Sequence, residues 1–216
     1  MNILAPSILS ADFCKLGNDI EKVKAGGAQY LHIDVMDGMF VPSISFGMPV
    51  FACVRKCSDL FMDVHMMVEK PERYVDEFIK IGADSITIHV EACDCIEETL
   101  KHIKEQGVKA GIAVNPETEI SEVYKYMDLV DMVLVMTVHP GFGGQKYISE
   151  CTEKIVTMHK LINEKYPNVD LEIDGGVCLD NLNMNLEAGA NVIVAGSAIF
   201  KGDIEANTKE FMHIMK

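Results

Sequence analysis

Eight short β-rich runs recur along this chain at an almost even interval, and that cadence limits the possible folds severely. The runs finish near Ser7, Asp34, His65, His89, Asn115, Thr137, Asp174 and Gly196. Their mean spacing is about 27 residues, the length that one strand, one helix and two short loops need. The segments between them carry helical periodicity. Phe13, Leu16, Ile20 and Val23 fall three and four apart after Asp12, and Gly26-Gly27 stops the run. Tyr74, Phe78 and Ile81 do the same before Gly82. Ile96, Leu100 and Ile103 do so before Gly107, and Ile155, Met158 and Ile162 before Pro167. A last helix from about Asp203 carries Ile204, Phe211 and Ile214. No linker, low-complexity tract or charge block interrupts the pattern, so one domain over residues 1–216 is expected.

Eight β-α units predict a parallel sheet with helices outside it. An open, doubly wound sheet would want a phosphate-binding glycine turn after the first strand. Here that strand ends in Pro6-Ser7-Ile8-Leu9, and the glycine turns follow strands six, seven and eight. The expected fold is therefore α/β, a closed (β/α)8 TIM barrel. Such a barrel carries its site at the C-terminal ends of its strands.

Those ends hold ligand-type side chains. In Leu31-His32-Ile33-Asp34-Val35-Met36, alternate residues face opposite ways, so His32, Asp34 and Met36 share one face and Leu31, Ile33 and Val35 the other. A buried carboxylate is costly unless it is paired or bound to metal. His65 and Met67 share a face of Phe61–Met67, and Asp174 ends the alternating strand before Gly175-Gly176. Two histidines and two carboxylates from three strands predict a divalent metal site at His32, Asp34, His65 and Asp174. Zn²⁺, Fe²⁺, Mn²⁺ and Co²⁺ all suit that donor set.

The phosphate signal lies late in the chain. Pro140-Gly141-Phe142-Gly143-Gly144-Gln145 follows strand six, Gly175-Gly176 strand seven, and Gly196-Ser197 strand eight. Glycines let backbone N–H groups approach an anion, and the loops after strands seven and eight are each expected to precede a helical turn. Glycine turns after the last three strands point to a phosphomonoester whose other end faces the metal.

Charge and composition exclude other classes. A formal net charge of −14 argues against nucleic acid as a partner. No apolar run reaches membrane-spanning length, and Met1-Asn2-Ile3-Leu4-Ala5-Pro6 reads as a first strand rather than a leader. Seven cysteines without a C-x-x-C pair fit reduced thiols and a cytoplasmic location.

Several motifs resemble ribulose-phosphate 3-epimerases. They are Ala5-Pro6-Ser7-Ile8-Leu9-Ser10-Ala11-Asp12-Phe13, His32-Ile33-Asp34-Val35-Met36-Asp37-Gly38, Phe40-Val41-Pro42, Asp63-Val64-His65, Val135-Met136-Thr137-Val138, Pro140 to Gln145 and Ile173-Asp174-Gly175-Gly176-Val177. They run from the first strand to the last in family order. The resemblance implies that Asp34 and Asp174 are the acid/base pair and that the four ligands hold one metal ion. It implies that Ser7 and His65 contact substrate oxygens. Gly141, Phe142, Gly143, Gly144, Gly175, Gly176, Gly196 and Ser197 would hold the phosphate end. Met36, Met67 and Met136 look like the family's sulfur cap, although on sequence alone ordinary core filling is the preferred account. Ser43 stands where the family usually has Asn, and no proposed ligand or base is changed.

The implied reaction interconverts D-ribulose 5-phosphate and D-xylulose 5-phosphate, a step of the pentose phosphate pathway, by inverting C3 through a 2,3-enediolate. A homo-oligomer is expected on the same ground. Two other readings compete: a D-allulose-6-phosphate 3-epimerase, and a non-catalytic phosphosugar-binding barrel that would need no second carboxylate. The related decarboxylase and hexulose-phosphate synthase group carries Asp-x-Lys-x-x-Asp on the third strand. Here Asp63-Val64-His65-Met66-Met67-Val68 has His for Lys and no second Asp.

Overall fold

Strand β1 (Ile3–Pro6) runs up the centre of the molecule and is followed by a 3-10 turn at Ile8–Ser10 and helix α1 (Leu16–Gly26). A computed structural model describes residues 2–216. Then come β2 (Tyr30–Met36), α2 (Met48–Cys57), β3 (Phe61–Met67), α3 (Val75–Ile81), β4 (Ser85–His89), α4 (Ile96–Glu105) and β5 (Lys109–Val114). β6 (Met132–Met136), α5 (Cys151–Lys165), β7 (Asp170–Asp174), α6 (Leu179–Ala188), β8 (Val192–Ala195), α7 (Ser197–Phe200) and α8 (Ile204–Ile214) complete the order.

The strands pair in parallel in the order β1-β8-β7-β6-β5-β4-β3-β2. A parallel bridge between Ser7 and His32 joins the two outer strands, so the sheet closes into a nearly complete ring, as the strand cadence predicts. The outward strand faces and the inner faces of the helices form the main apolar core, with Leu31, Ile33, Val64, Ile86, Ile112, Val133 and Ile173 all fully buried. Because those positions supply the core, the alternate, inward positions are free to be polar. His32, Asp34, Asp63, His65, Ser85, Thr87, His89 and Glu172 are all buried inside the ring.

Two local expectations need correction. Phe13 is not part of the first helix: it is exposed and packs on Phe46 at 5.5 Å between ring centroids. Asp12 holds a turn there, its side chain accepting from the Cys14 N–H at 3.0 Å and its carbonyl from Lys15 N–H at 2.8 Å. After β5 the connection is a 3-10 segment, Ile120–Tyr126, and not an α-helix. Ile120 and Val123 are the buried residues there, and a three-residue turn eclipses positions three apart, so both face the barrel. Helices α6 and α7 follow the glycine turns after β7 and β8, as expected, whereas the longer loop after β6 reaches α5 only at Cys151.

Candidate active site

Strand register builds the centre of the site. Parallel pairing sets His32 beside Asp63 and Asp34 beside His65. The inward side chains of β2 and β3 therefore form two adjacent rungs, and Asp174 reaches them from the end of β7. His65 Nδ1 lies 3.2 Å from Asp34 Oδ1 and 3.7 Å from Asp174 Oδ2. His32 Nε2 lies 3.4 Å from Asp34 Oδ1, 3.4 Å from His65 Nδ1 and 4.0 Å from Asp174 Oδ2. The four sequence-predicted ligand residues thus converge, one donor atom each. A tetrahedral ion with bonds of about 2.0–2.2 Å needs donor atoms about 3.3–3.6 Å apart. The observed separations, 3.2 to 4.0 Å, fit such an ion.

Each centre residue is held from behind. Ser7 Oγ donates to Asp34 Oδ2 at 2.5 Å. His32 Nδ1 meets Asp63 Oδ2 at 2.6 Å, and Asp63 Oδ1 accepts from Ser85 Oγ at 2.6 Å. His65 Nε2 meets His89 Nε2 at 2.8 Å, and His89 Nδ1 meets Glu91 Oε2 at 3.1 Å. The carbonyl of Asp174 accepts from both the N–H (2.8 Å) and the hydroxyl (3.0 Å) of Thr137, which ties the end of β7 to β6. Partners that orient ligand side chains are the usual support of a metal site.

The two carboxylates differ in the field of the protein side chains. Burial raises the Asp174 carboxyl, the charge of Asp34 raises it further, and it comes to about 7. Burial also opposes charge on Asp34, but the His32 and His65 rings outweigh it and hold Asp34 well below the usual range. Burial likewise disfavours charge on His32, yet Asp34 and Asp63 keep its ring protonated well above the ordinary value. Glu172, buried beside Asp63, is pushed well above the carboxylate range by burial and by that neighbour's charge.

Above the centre opens a narrow cleft at the C-terminal ends of the strands. Ser7, Asp34 and Asp174 line its floor. Gly141, Phe142, Gly143, Gly144, Gly175, Gly176, Gly196 and Ser197 form one wall, so the three glycine loops do meet. At Gly176, φ is +68° and an added Cβ would stand 2.4 Å from Tyr147 N, so only glycine fits there. His32 and His65 are fully buried beneath the floor. Met36, Met67 and Met136 line the cleft while being 5%, 1% and 1% exposed, so they fill space and shape the site together.

Sequence reasoning passed over Asp63, Ser85, His89, Glu91 and Glu172. Asp63 and Glu172 had a signal, because each lies two residues before a predicted ligand on the same strand face. Ser85 and His89 had none, since their partners come from a neighbouring strand, and Glu91 gains meaning only once His89 is placed.

A (β/α)8 barrel with two carboxylates at the floor of a glycine-walled cleft has the build of an enzyme. The profile described as "Ribulose-phosphate 3 epimerase family" matches residues 3–200, and the chain belongs to that family. It is a carbohydrate isomerase of the epimerase kind. The "Ribulose-phosphate 3-epimerase" of Bacillus subtilis is 49% identical over 198 residues, covering 91% of each chain. The "Ribulose-phosphate 3-epimerase" of Aquifex aeolicus is 42% identical over 216 residues, 100% of this chain and 97% of its own. The chloroplastic "Ribulose-5-phosphate-3-epimerase" of Arabidopsis thaliana is 46% identical over 92% of this chain and 71% of its own. Among solved structures, 3-keto-L-gulonate-6-phosphate decarboxylase from Vibrio cholerae superposes with a TM-score of 0.74 at 13% identity, covering 99% of this chain and 96% of its own. That likeness is one of fold. Among the described residues no helix is long and apolar enough to cross a membrane.

Proposed function

We propose that the chain interconverts D-ribulose 5-phosphate and D-xylulose 5-phosphate by inverting C3, with Asp34 and Asp174 as the two acid/base residues. One observation carries this reading: two carboxylates reach one cleft floor from β2 and β7 with opposite preferences for a proton. Inversion breaks the C3–H bond on one face of the sugar and makes it on the other. The electron pair of that bond moves towards the C2 carbonyl, giving a 2,3-enediolate. An ionised Asp34 accepts the leaving proton, and a protonated Asp174 returns one to the opposite face. In the reverse direction the roles exchange. Ser7 keeps Asp34 ionised and aimed through its 2.5 Å hydrogen bond.

His32, Asp34, His65 and Asp174 are the residues that would hold one divalent metal ion, and their donor spacing supports this. When bound, the ion supplies positive charge that favours the enediolate oxygens. The backbone of the loops at Gly141–Gly144, Gly175–Gly176 and Gly196–Ser197 would receive the phosphate, which anchors the substrate away from the reacting carbon. Seven free cysteines suit a reducing compartment such as the cytoplasm.

The test is a ribulose 5-phosphate epimerase assay on the purified chain before and after exhaustive chelation. Activity that disappears on chelation and returns with Zn²⁺, Fe²⁺, Mn²⁺ or Co²⁺ is expected. Undiminished turnover by metal-free protein would refute the metal's role, and no turnover at all by the metal-loaded chain would refute the substrate.

A further inference from the structure

His65 is held by a line of side chains that leads away from the cleft. Its Nε2 lies 2.8 Å from His89 Nε2, and His89 Nδ1 lies 3.1 Å from Glu91 Oε2. The other oxygen of Glu91 accepts from the Asn115 N–H at 2.8 Å. Both imidazoles are fully buried, and the Phe40 ring covers His89 at 4.9 Å between centroids. Water therefore has no access to exchange partners with the ring nitrogens.

Proton positions along this line follow from its two ends. A carboxylate only accepts hydrogen bonds, so His89 must present Nδ1–H to Glu91. At the inner end, Nδ1 of His65 is the ring atom that faces the four-residue cluster, so His65 serves a metal ion with its proton on Nε2. The His89 Nε2 that this N–H meets is then a bare lone pair. The 2.8 Å contact with His65 is attractive only if His65 supplies the hydrogen from its own Nε2. That leaves His65 Nδ1 unprotonated, and Nδ1 is the atom facing Asp34 Oδ1 at 3.2 Å and Asp174 Oδ2 at 3.7 Å.

We infer that Glu91, acting through His89, is a positioning residue that fixes the His65 proton on Nε2 and turns the Nδ1 lone pair into the four-residue cluster. The inference rests on the proposed metal site, because the lone pair matters as a ligand. It assigns the His89–Glu91 pair to His65 the task that Asp63 performs directly for His32. A ligand histidine free to carry its proton on Nδ1 would have to lose it before binding an ion, and affinity would fall.

Two measurements on the full chain test this. Nitrogen-15 imidazole spectra of the Zn²⁺-loaded wild type should assign His89 as the Nδ1–H tautomer and His65 as the Nε2–H tautomer. The opposite tautomer at either ring would overturn the inference without any mutation. Co²⁺ titration then compares wild type with Glu91→Leu and Glu91→Gln. Loss of the acceptor in Glu91→Leu should weaken Co²⁺ binding roughly 10-fold to 100-fold and mix the His89 tautomers. Glu91→Gln, whose amide oxygen still accepts from His89, should recover most of the affinity and the single tautomer. Equal affinity and unchanged tautomers in Glu91→Leu would overturn the inference. Failure of the wild type to bind Co²⁺ at the cluster would instead overturn the metal reading on which it stands.

Discussion

Ser7 Oγ and Asp34 Oδ2 stand 2.5 Å apart across the seam where the barrel closes. The same bridge that joins β1 to β2 thus clamps one of the two carboxylates proposed to move the proton. A hydrogen bond to a charged group contributes about 1.5–3 kcal/mol. Ser7→Ala is expected to lower kcat/KM by roughly 10-fold to 100-fold. Losing the donor also lets Asp34 take up a proton more readily, so the acidic limb of the pH–rate profile should move to higher pH. Kinetics across pH check both, and an unshifted limb with activity within about twofold would contradict the clamp.

Asp174 gives a prediction with a worked sign. Its carboxyl is raised to about 7 in the folded chain, well above the ordinary aspartate value of about 3.9. Between those values the folded state holds a proton that the unfolded chain has lost. Stability of the metal-free protein therefore falls as pH rises through that window, and the cost is complete above about 7. Asp174→Asn removes it. At pH 8 the metal-free variant should melt at higher temperature than metal-free wild type, and the gap should close towards pH 4. The variant should also lose about 10²–10⁴ in rate. A variant that melts no higher at pH 8, or retains near-wild-type rate, would contradict the assignment.

Gly143 and Gly176 separate ligand recognition from folding. A Cβ at Gly143 would meet only Ser10 Oγ, at 3.4 Å, so Gly143→Asp should fold and keep its metal. The new carboxylate would repel a phosphate and crowd its place, so KM for ribulose 5-phosphate should rise at least tenfold at low ionic strength. Gly176→Ala meets backbone at 2.4 Å and should lower the melting temperature instead. Steady-state kinetics and thermal melts on both variants decide, and an unchanged KM in Gly143→Asp would remove the loop after β6 from the phosphate site.

The barrel was legible because its strands are short, evenly spaced and buried outward by aliphatic residues. The four central side chains were legible for the same reason, since alternation alone puts His32 and Asp34 on one face. What alternation cannot give is register between strands. His32 faces Asp63, and Asp34 faces His65, only because β2 and β3 pair without offset. The line from His65 through His89 to Glu91 depends on the register of β3 against β4 and on the loop after β4, so no spacing in the chain announces it. Phe13 matched the helical period but lies outside the helix, where the Asp12 turn overrides periodicity. The Ile120–Tyr126 segment follows Pro116 and places its buried residues three apart, a pattern shared by 3-10 and α geometry.

The central claim is that two aspartates move protons on opposite faces of C3, and isotope uptake tests it most directly. Ribulose 5-phosphate is incubated with the metal-loaded enzyme in D₂O, and the first xylulose 5-phosphate formed is examined by proton NMR. Two carboxylates exchanging with solvent should give product carrying deuterium at C3, while unconverted substrate keeps most of its C3 hydrogen at early times. Asp174→Asn should form almost no product. Product that retains the original C3 hydrogen would mean transfer by a single group, and would contradict the assignment of Asp34 and Asp174.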